Sequence, residues 1–233
     1  PLTEYCDTHR LTLRQRLGLF IPVCQAVQHA HQKGVLHRDL KPSNILVEMV
    51  DGRPVPKVID FGIAKALQSG ADAAEGLSLL RTTGLSLIGT PAYMSPEQAG
   101  LSGQDVDSRS DIYSLGVVLY ELLTGGTPLT SAQLKKAGMD EVLRMIREED
   151  PPTLERGLTR PGADTQGVAE RRQTELRRLT AQLRGDLEWI AMKALEKDRE
   201  RRYASAAALA EDIEHHLRDE PVSAGPPGAA YRL

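Results

Sequence analysis

The sequence contains little cysteine, few aromatic residues and no long apolar run. Its two cysteines, Cys6 and Cys24, are too few for a disulfide framework or a metal cluster, and we interpret them as free thiols in a reducing compartment. One Trp, two Phe and a net charge of −3 offer neither a base-stacking surface nor a basic patch, so we expect no nucleic-acid partner. The longest apolar run, about 115–123, is too short to cross a bilayer. We therefore expect a globular, cytoplasmic chain without a membrane segment.

Helix patterns dominate what is present. Thr12 and Gln15 form a predicted capping box, after which apolar residues recur at three- and four-residue steps until Gly34, which suits a left-handed helix end. A helix that is apolar on nearly all sides, and hence buried, is predicted between Ser110 and Gly125. Further helices are predicted over about 132–149, 185–195 and 204–217, with a short one after Ser95.

A β-hairpin is predicted between residues 45 and 59. Short apolar runs lie on either side of Asp51 and Gly52, a dipeptide typical of tight hairpin turns. We expect Pro54 and Pro56 to lengthen this turn.

The strongest candidates for catalytic side chains lie in the stretch 37–47, His-Arg-Asp-Leu-Lys-Pro-Ser-Asn-Ile-Leu-Val. Asp39 and Asn44 lie within it, and Asp60 begins an Asp-Phe-Gly triplet after the hairpin. Because the hairpin joins them, we expect Asn44 and Asp60 to emerge at the same end of the ribbon, as two metal ligands would. The spacing Asp-x-x-x-x-Asn followed by Asp-Phe-Gly is typical of metal-assisted phosphoryl transfer.

With these residues identified, the chain resembles the eukaryotic-like bacterial Ser/Thr protein kinases over nearly its whole length. Any one motif alone could be chance, whereas five in the family's order leave little room for it. The resemblance implies a mainly α fold with a small β-hairpin, that of a protein-kinase C-terminal lobe. The five motifs are His37-Arg38-Asp39 with Asn44, Asp60-Phe61-Gly62, the stretch 89–97 from Gly-Thr to Ser-Pro-Glu, Asp111 in Ser-Asp-Ile-Tyr-Ser-Leu-Gly, and Arg202.

The resemblance also suggests how the chain is divided. It assigns residues 1–219 to the lobe, with a catalytic loop at 37–44 and an activation segment at 60–97. Residues 220–233, rich in Pro and Gly, are interpreted as a linker. The arginine-rich stretch at about 152–184 could be a basic docking patch, but we favour a solvated insert.

Three residues receive catalytic roles from the resemblance. Asp39 would orient, or accept the proton of, the substrate hydroxyl. Lys41 would contact the transferring phosphate, and its presence indicates a Ser/Thr rather than a tyrosine kinase. Thr90 would hydrogen-bond both Asp39 and Lys41.

The cofactors implied by the resemblance are ATP and Mg²⁺, with Mn²⁺ as an alternative. Asn44 and Asp60 would hold the metal through oxygen atoms, which hard cations prefer. Leu46 would lie beneath the adenine.

Other matched positions receive supporting roles. Asp111 would accept backbone N–H groups of the catalytic loop, and Glu97 would pair with Arg202. A phosphate on the activation segment would pair with Arg38 and order the segment. Candidate acceptors of that phosphate are Thr82, Thr83 and Ser86. The residues with structural or regulatory roles are His37, Arg38, Phe61, Gly62, Glu97, Asp111 and Arg202.

The chain departs from the family pattern at its beginning. No Gly-x-Gly-x-x-Gly, strand Lys or helix Glu precedes His37, and both ends of the chain look like cuts. We therefore expect the ATP-covering N-terminal lobe to be absent and the isolated chain to transfer little phosphate. The parent protein would phosphorylate Ser/Thr hydroxyls of proteins. It would form a homodimer for trans-autophosphorylation, and an anchor would hold it at the inner face of the cell membrane.

Two other functions compete with this interpretation. A pseudokinase or interaction module would keep the fold, but it has no physical need for Asp39, Lys41, Asn44 and Asp60 together. A small-molecule phosphotransferase would share a similar His-x-Asp-x-x-x-x-Asn loop, although the stretch 89–97 favours a protein substrate. Mg²⁺-ATP binding by the parent distinguishes an active kinase from a pseudokinase or interaction module. A preference for phosphorylating an antibiotic or sugar over protein would support the small-molecule phosphotransferase.

Overall fold

The computed structural model describes residues 1–61, 91–100 and 106–225. As expected, this part of the chain is mainly helical with one small antiparallel hairpin. The helices are α1 (Leu2–Thr8), α2 (Leu13–Gln32), α3 (Ser108–Thr124), α4 (Ser131–Lys136), α5 (Met139–Glu148), α6 (Leu154–Thr159), α7 (Thr165–Arg171), α8 (Leu176–Leu183), α9 (Asp186–Ala194) and α10 (Ala206–Leu217), and the strands are β1 (Ile45–Val50) and β2 (Arg53–Val58).

The helix α2 leads directly towards the loop at residues 37–44. The predicted capping box at its start is confirmed, because the Thr12 side chain accepts from the Gln15 backbone and the Gln15 side chain accepts from the Thr12 backbone. At the other end Gly34 has φ +73°, the left-handed conformation that glycine adopts without strain. The buried face of α2 packs against α10, α3 and β2, which fixes where the loop after Gly34 begins.

The hairpin turn is tighter than its prolines suggest. Asp51 and Gly52 both have positive φ, as a two-residue type I′ turn requires. Our expectation that Pro54 and Pro56 lengthen the turn is wrong: both lie inside β2, opposite Met49 and Val47.

The register explains why these two prolines are tolerated. Ile59 N donates to Asn44 O at 2.9 Å, so hydrogen-bonded positions of the second strand alternate from Ile59 and include neither Pro54 nor Pro56. Pro54 and Pro56 occupy the intervening positions, at which the backbone nitrogen points away from the partner strand. A missing N–H therefore costs no ladder bond.

The centre of the core is α3, which is buried on nearly all sides as predicted. It begins three residues before the expected start, with Asp107 as N-cap, and ends at Gly125 with φ +82°. The helix α9 crosses it closely at Gly116. A smaller apolar cluster under α5 supports residue 99 and its neighbours, and it is built on Ala99, Val142, Leu143 and Ile146.

The arginine-rich stretch forms the helices α6, α7 and α8. These helices pack on the core, whereas we favoured a solvated insert. Leu154, Leu158, Leu179 and Leu183 are fully buried in the main core. Arg172 is buried too, and its guanidinium donates to the carbonyls of Leu122 at 2.7 Å and Val168 at 3.1 Å. The remaining exposed arginines flank apolar residues at four-residue spacing, so the charge run is one face of packed helices. These exposed residues are Arg156, Arg177, Arg178 and Arg184.

Both cysteines are free and buried, and burial raises the pKa of Cys6 to about 11. Ser95 caps a hydrogen-bonded turn, in which Ala99 N donates to its carbonyl at 3.0 Å, whereas we expected a short helix. No helix among the described residues is long and apolar enough to cross a membrane.

The first residues of the segment predicted to be a linker, 221–225, are packed on the domain. Residues 221–225 lie against α10, and Val222 is buried with 5% of its surface exposed. The backbone N–H groups of Ser223 and Ala224 donate to Asp212. These contacts attach the start of the Pro/Gly-rich segment to the domain.

Candidate active site

The loop from His37 to Asn44 is short and tightly folded. Arg38 has φ +65°, a conformation that costs energy for any residue with a Cβ and persists only where neighbours hold it. The loop ends in a 3₁₀ turn, Pro42–Asn44, with proline at its first position. The strand β1 starts at Ile45, whose side chain is fully buried, and this anchors the end of the loop.

Within the loop, three polar side chains converge. Lys41 Nζ donates to Asp39 Oδ2 at 2.8 Å. Asn44 Nδ2 donates to Asp39 O at 2.9 Å and lies 3.4 Å from Asp39 Oδ2. The Asp39 and Lys41 side chains remain 27% and 23% exposed. Lys41 and Asn44 therefore orient the Asp39 carboxylate while leaving it accessible to solvent.

The buried carboxylate of Asp111 holds the backbone of this loop. It is 1% exposed and accepts from His37 N at 2.8 Å and Arg38 N at 2.7 Å. An isolated carboxylate in such surroundings would be costly, and these donors compensate for its lost hydration. Its position at the head of α3 ties the loop to the centre of the core.

His31 completes this brace, and sequence reasoning assigned it no role. Its Nε2 lies 2.8 Å from Asp111 Oδ2, and its side chain is only 7% exposed. The two residues are 80 positions apart. The one available signal was that His31 lies in the last turn of α2, close before the loop.

The imidazole of His37 links the loop to the segment that contains Asp60. The ring is fully buried, with Nε2 2.9 Å from Ile59 O and Nδ1 3.3 Å from Asp39 N. These partners indicate the neutral tautomer, with the proton on Nε2 and Nδ1 as acceptor. The ring centroids of His37 and Phe61 are 4.8 Å apart and the rings are tilted by 49°.

Asp60 follows the hairpin in a constrained backbone. Its φ is +58° and the residue is exposed. The bond from Ile59 N to Asn44 O brings this end of the second strand beside Asn44. Asp60 and Asn44 therefore leave the same end of the ribbon.

The donor set at this end suits Mg²⁺. The Asn44 amide nitrogen is used by Asp39, which leaves its amide oxygen as a ligand, and Asp60 supplies a carboxylate. Mg²⁺ commonly uses one or two protein oxygen ligands and completes its octahedron with water and phosphate. In keeping with so small a set, the described residues contain no cluster of three His, Cys, Asp or Glu. Leu46, expected beneath the adenine, is 39% exposed.

The pair of Glu97 and Arg202 connects the segment 91–100 to the end of the core. Two parallel bonds of 2.7 and 2.8 Å join them. Burial alone would raise the pKa of Glu97, but the hydrogen bonds from Arg202 and Ser110 outweigh it, so this pKa is lowered. Arg202 also donates to the carbonyls of Glu196, Arg109 and Lys197, which uses all five of its N–H groups.

A second residue missed from the sequence is Gln98. Its Nε2 donates to Arg38 O at 2.8 Å, while its Oε1 accepts from Ser95 N at 3.0 Å. The peptide unit of Arg38 is thus held on its N–H side by Asp111 and at its carbonyl by Gln98. This explains how the strained φ of Arg38 is maintained.

Several predicted site residues lie outside the described residues. They are Gly62, Thr82, Thr83, Ser86 and Thr90.

Comparison with known proteins adds independent findings. The family model described as "Protein kinase domain" matches residues 3–216. The Serine/threonine-protein kinase PknB of Mycobacterium tuberculosis (strain H37Rv) is 36% identical over 214 residues, which cover 92% of this chain and 28% of PknB. Serine/threonine-protein kinase Pkn1 of Myxococcus xanthus is 35% identical over 235 residues, covering 99% of this chain and 28% of Pkn1. The chain thus spans little more than a quarter of these relatives.

A solved structure agrees on the fold. The PknI kinase domain of Mycobacterium tuberculosis matches with a TM-score of 0.52 and 22% identity, over 88% of this chain and 56% of that chain. At this identity the likeness concerns the fold alone.

Proposed function

Because the chain belongs to the protein kinase domain family, we propose that it is the catalytic C-terminal lobe of a Ser/Thr protein kinase. In the intact parent it transfers the γ-phosphoryl group of ATP to Ser/Thr hydroxyls of proteins. The observation that carries this proposal is the convergence of Asp39, Lys41 and Asn44 on a loop whose backbone is held by Asp111. Positioning of this kind is most of what phosphoryl transfer requires from the protein.

In this proposal Asp39 aims the nucleophile. Its carboxylate is partly exposed and accepts the hydroxyl proton of the substrate. Lys41, 2.8 Å from that carboxylate, places a positive charge beside the transferring phosphate. Asn44 and Asp60 would hold Mg²⁺ through their oxygen atoms, and a bound ion would supply positive charge that neutralises the phosphates.

The lobe assignment rests on the sequence before the loop and on the exposure of Leu46. No Gly-rich loop or strand Lys precedes His37. The described residues before His37 contain α1 and α2, and no strand. Among the described residues, none covers Leu46 enough to bury it, and its side chain is 39% exposed, which supports its proposed contact with the adenine. We therefore propose that the 233-residue chain transfers little phosphate by itself.

The remaining expectations form part of the same proposal. Thr82, Thr83 and Ser86 are proposed acceptors of a regulatory phosphate that pairs with Arg38. The parent is proposed to act in the cytoplasm and to phosphorylate itself in trans as a homodimer. Phosphosite mapping of the active parent tests the first point, since full activity with an unmodified segment would contradict it.

The direct test compares the chain with the complete gene product in a Mg²⁺-ATP assay on a generic protein substrate. We expect the complete protein to turn over at about 1–100 s⁻¹ and the chain alone to be at least about 100-fold slower. In the complete protein, Asp39→Asn should lower kcat by about 100-fold or more. Asp51→Asn is the matched control, because Asp51 lies in the exposed hairpin turn, where asparagine also adopts positive φ. Undiminished turnover of the Asp39→Asn protein would refute the proposed role.

A further inference from the structure

The start of the C-terminal segment is held by one buried carboxylate. Asp212 in α10 is 1% exposed. It accepts from Ser223 N at 2.6 Å, Ser223 Oγ at 2.9 Å and Ala224 N at 2.9 Å. A fourth bond comes from the Tyr203 hydroxyl at 2.8 Å, and burial beside Asp212 raises the pKa of Tyr203, which keeps its proton in place as a donor. We call residues 221–225 the latch segment.

Two further side chains, Val222 and Lys193, help to hold the latch segment in place. Val222 is buried with 5% exposure and joins the main core. Lys193 Nζ donates to Ser223 Oγ at 3.2 Å and lies 4.5 Å from the centre of the Tyr203 ring. Ser223 itself is exposed. The side chain of an exposed residue therefore supplies one of the bonds by which a docked segment is held.

Esterification of this hydroxyl is incompatible with the docked geometry. A phosphorylated Oγ has no hydrogen, so at 2.9 Å from Asp212 Oδ2 two acceptor oxygens would face each other. The phosphate would also bring a charge of about −1.5 to −2 against a buried carboxylate. Lys193 offers a single positive charge, and Asp212 cannot turn away without breaking its bond to Tyr203. Release of the latch segment relieves the conflict.

We propose that Ser223 is a phosphoacceptor site and that its phosphorylation releases the latch segment from Asp212. The proposal rests on the kinase function proposed above, which supplies Mg²⁺-ATP as co-substrate. The bond between the γ-phosphorus and the bridging oxygen of ATP breaks, a bond from Ser223 Oγ to that phosphorus forms, and ADP and the hydroxyl proton leave. In the docked state the Ser223 hydroxyl donates its hydrogen to Asp212, so the kinase acts on the segment while it is briefly undocked, and the phosphate then prevents the segment from docking again.

Amide hydrogen exchange of the 233-residue chain tests the latch without using its catalytic activity. Phosphoserine is installed at position 223 by genetic encoding, and protection of the Ser223 and Ala224 amides is followed by mass spectrometry. We expect protection to fall at least tenfold, with the amides of α10 unchanged. Phosphoserine at Ser131, an exposed residue at the start of α4, is the matched control and should leave the latch segment protected. Wild-type protection in the chain phosphorylated at Ser223 would overturn the proposal.

A second measurement tests the transfer itself. The complete gene product is incubated with Mg²⁺-ATP and a generic protein substrate, and both are mapped for phosphate. We expect phosphate at Ser223, in higher yield in an Asp212→Asn variant, whose latch segment is released. Phosphorylation of the generic substrate without phosphate at Ser223 in either protein overturns this proposal alone. Absence of phosphate on every protein overturns the proposed kinase function and the self-modification with it, while the exchange experiment still decides the latch.

Discussion

Substitution of Asp111 by asparagine tests how this carboxylate holds the loop at residues 37–44. Asp111 Oδ2 accepts a hydrogen bond from His37 N and lies within hydrogen-bond distance of His31 Nε2, and its Oδ1 accepts one from Arg38 N. An asparagine oxygen can replace only one of these oxygens. In the better orientation it keeps the Oδ2 partners and turns its NH₂ group towards Arg38 N–H, where two donors then face each other.

The magnitude follows from these contacts. Leaving the Arg38 N–H without an acceptor costs about 1–3 kcal/mol. The other two bonds lose their charge assistance, which is worth about 1 kcal/mol each. Part of this is recovered because a buried charge no longer has to be desolvated. We expect Asp111→Asn to lower the free energy of unfolding by about 2–4 kcal/mol.

Urea denaturation of the 233-residue chain measures this loss. With an m-value of about 3 kcal/mol/M, the midpoint should fall by about 1 M. Asp51→Asn makes the same chemical change in the exposed hairpin turn and should stay within about 0.5 kcal/mol of wild type. If Asp111→Asn were as stable as that control, the brace would not depend on the carboxylate and our reasoning would be refuted.

Three further predictions concern the core and its ion pair. Arg202→Lys keeps a charge but loses the paired bonds to Glu97, so urea titration should show a loss of about 3 kcal/mol or more; wild-type stability would contradict the importance of the paired geometry. The pKa of Glu97 lies below its usual 4.5, so its contribution is fully present above about pH 4.5 and is lost as the pH falls through the lowered value. Glu97→Gln should therefore be less stable at neutral pH and should lack this part of the acid dependence in a circular-dichroism titration. In Gly116→Ala the added Cβ would lie 2.8 Å from the Cβ of Ala194, which should lower the melting temperature and cost about 1–3 kcal/mol. Gly18→Ala, where nothing lies within 4 Å, should be neutral or stabilising.

Local features of the fold were predictable because they depend on neighbours in sequence. The Thr12 capping box and the turn at Asp51 and Gly52 need only a few adjacent residues, and both are present. The prolines of β2 were misjudged for a physical reason. Whether a strand residue needs its N–H depends on the register, which composition does not reveal.

The supporting contacts of the site were harder to predict because they join distant residues. His31 meets Asp111 across 80 positions and Gln98 meets Arg38 across 60, and neither residue type in isolation indicates such a partner. The burial of Arg172 is a similar case, since a charge run is usually solvated. Asp111 was anticipated only because a resemblance supplied its partners.

The packing of α2 against α10 has a consequence for synthesis of the protein. Arg14 Nη2 donates to Leu217 O at 2.6 Å, 203 positions away, and Ala207 N donates to Gln28 Oε1 at 3.2 Å, 179 positions away. At about 5–20 residues per second, the first long helix leaves the ribosome on the order of 10–40 s before its partner. Throughout that interval the part of α2 that packs against α10 is open to chaperones and to other nascent chains, whereas β2 and α3, which are made earlier, cover its other contacts. Translation of α10, rather than of the loop at 37–44, is the event that ends this exposure.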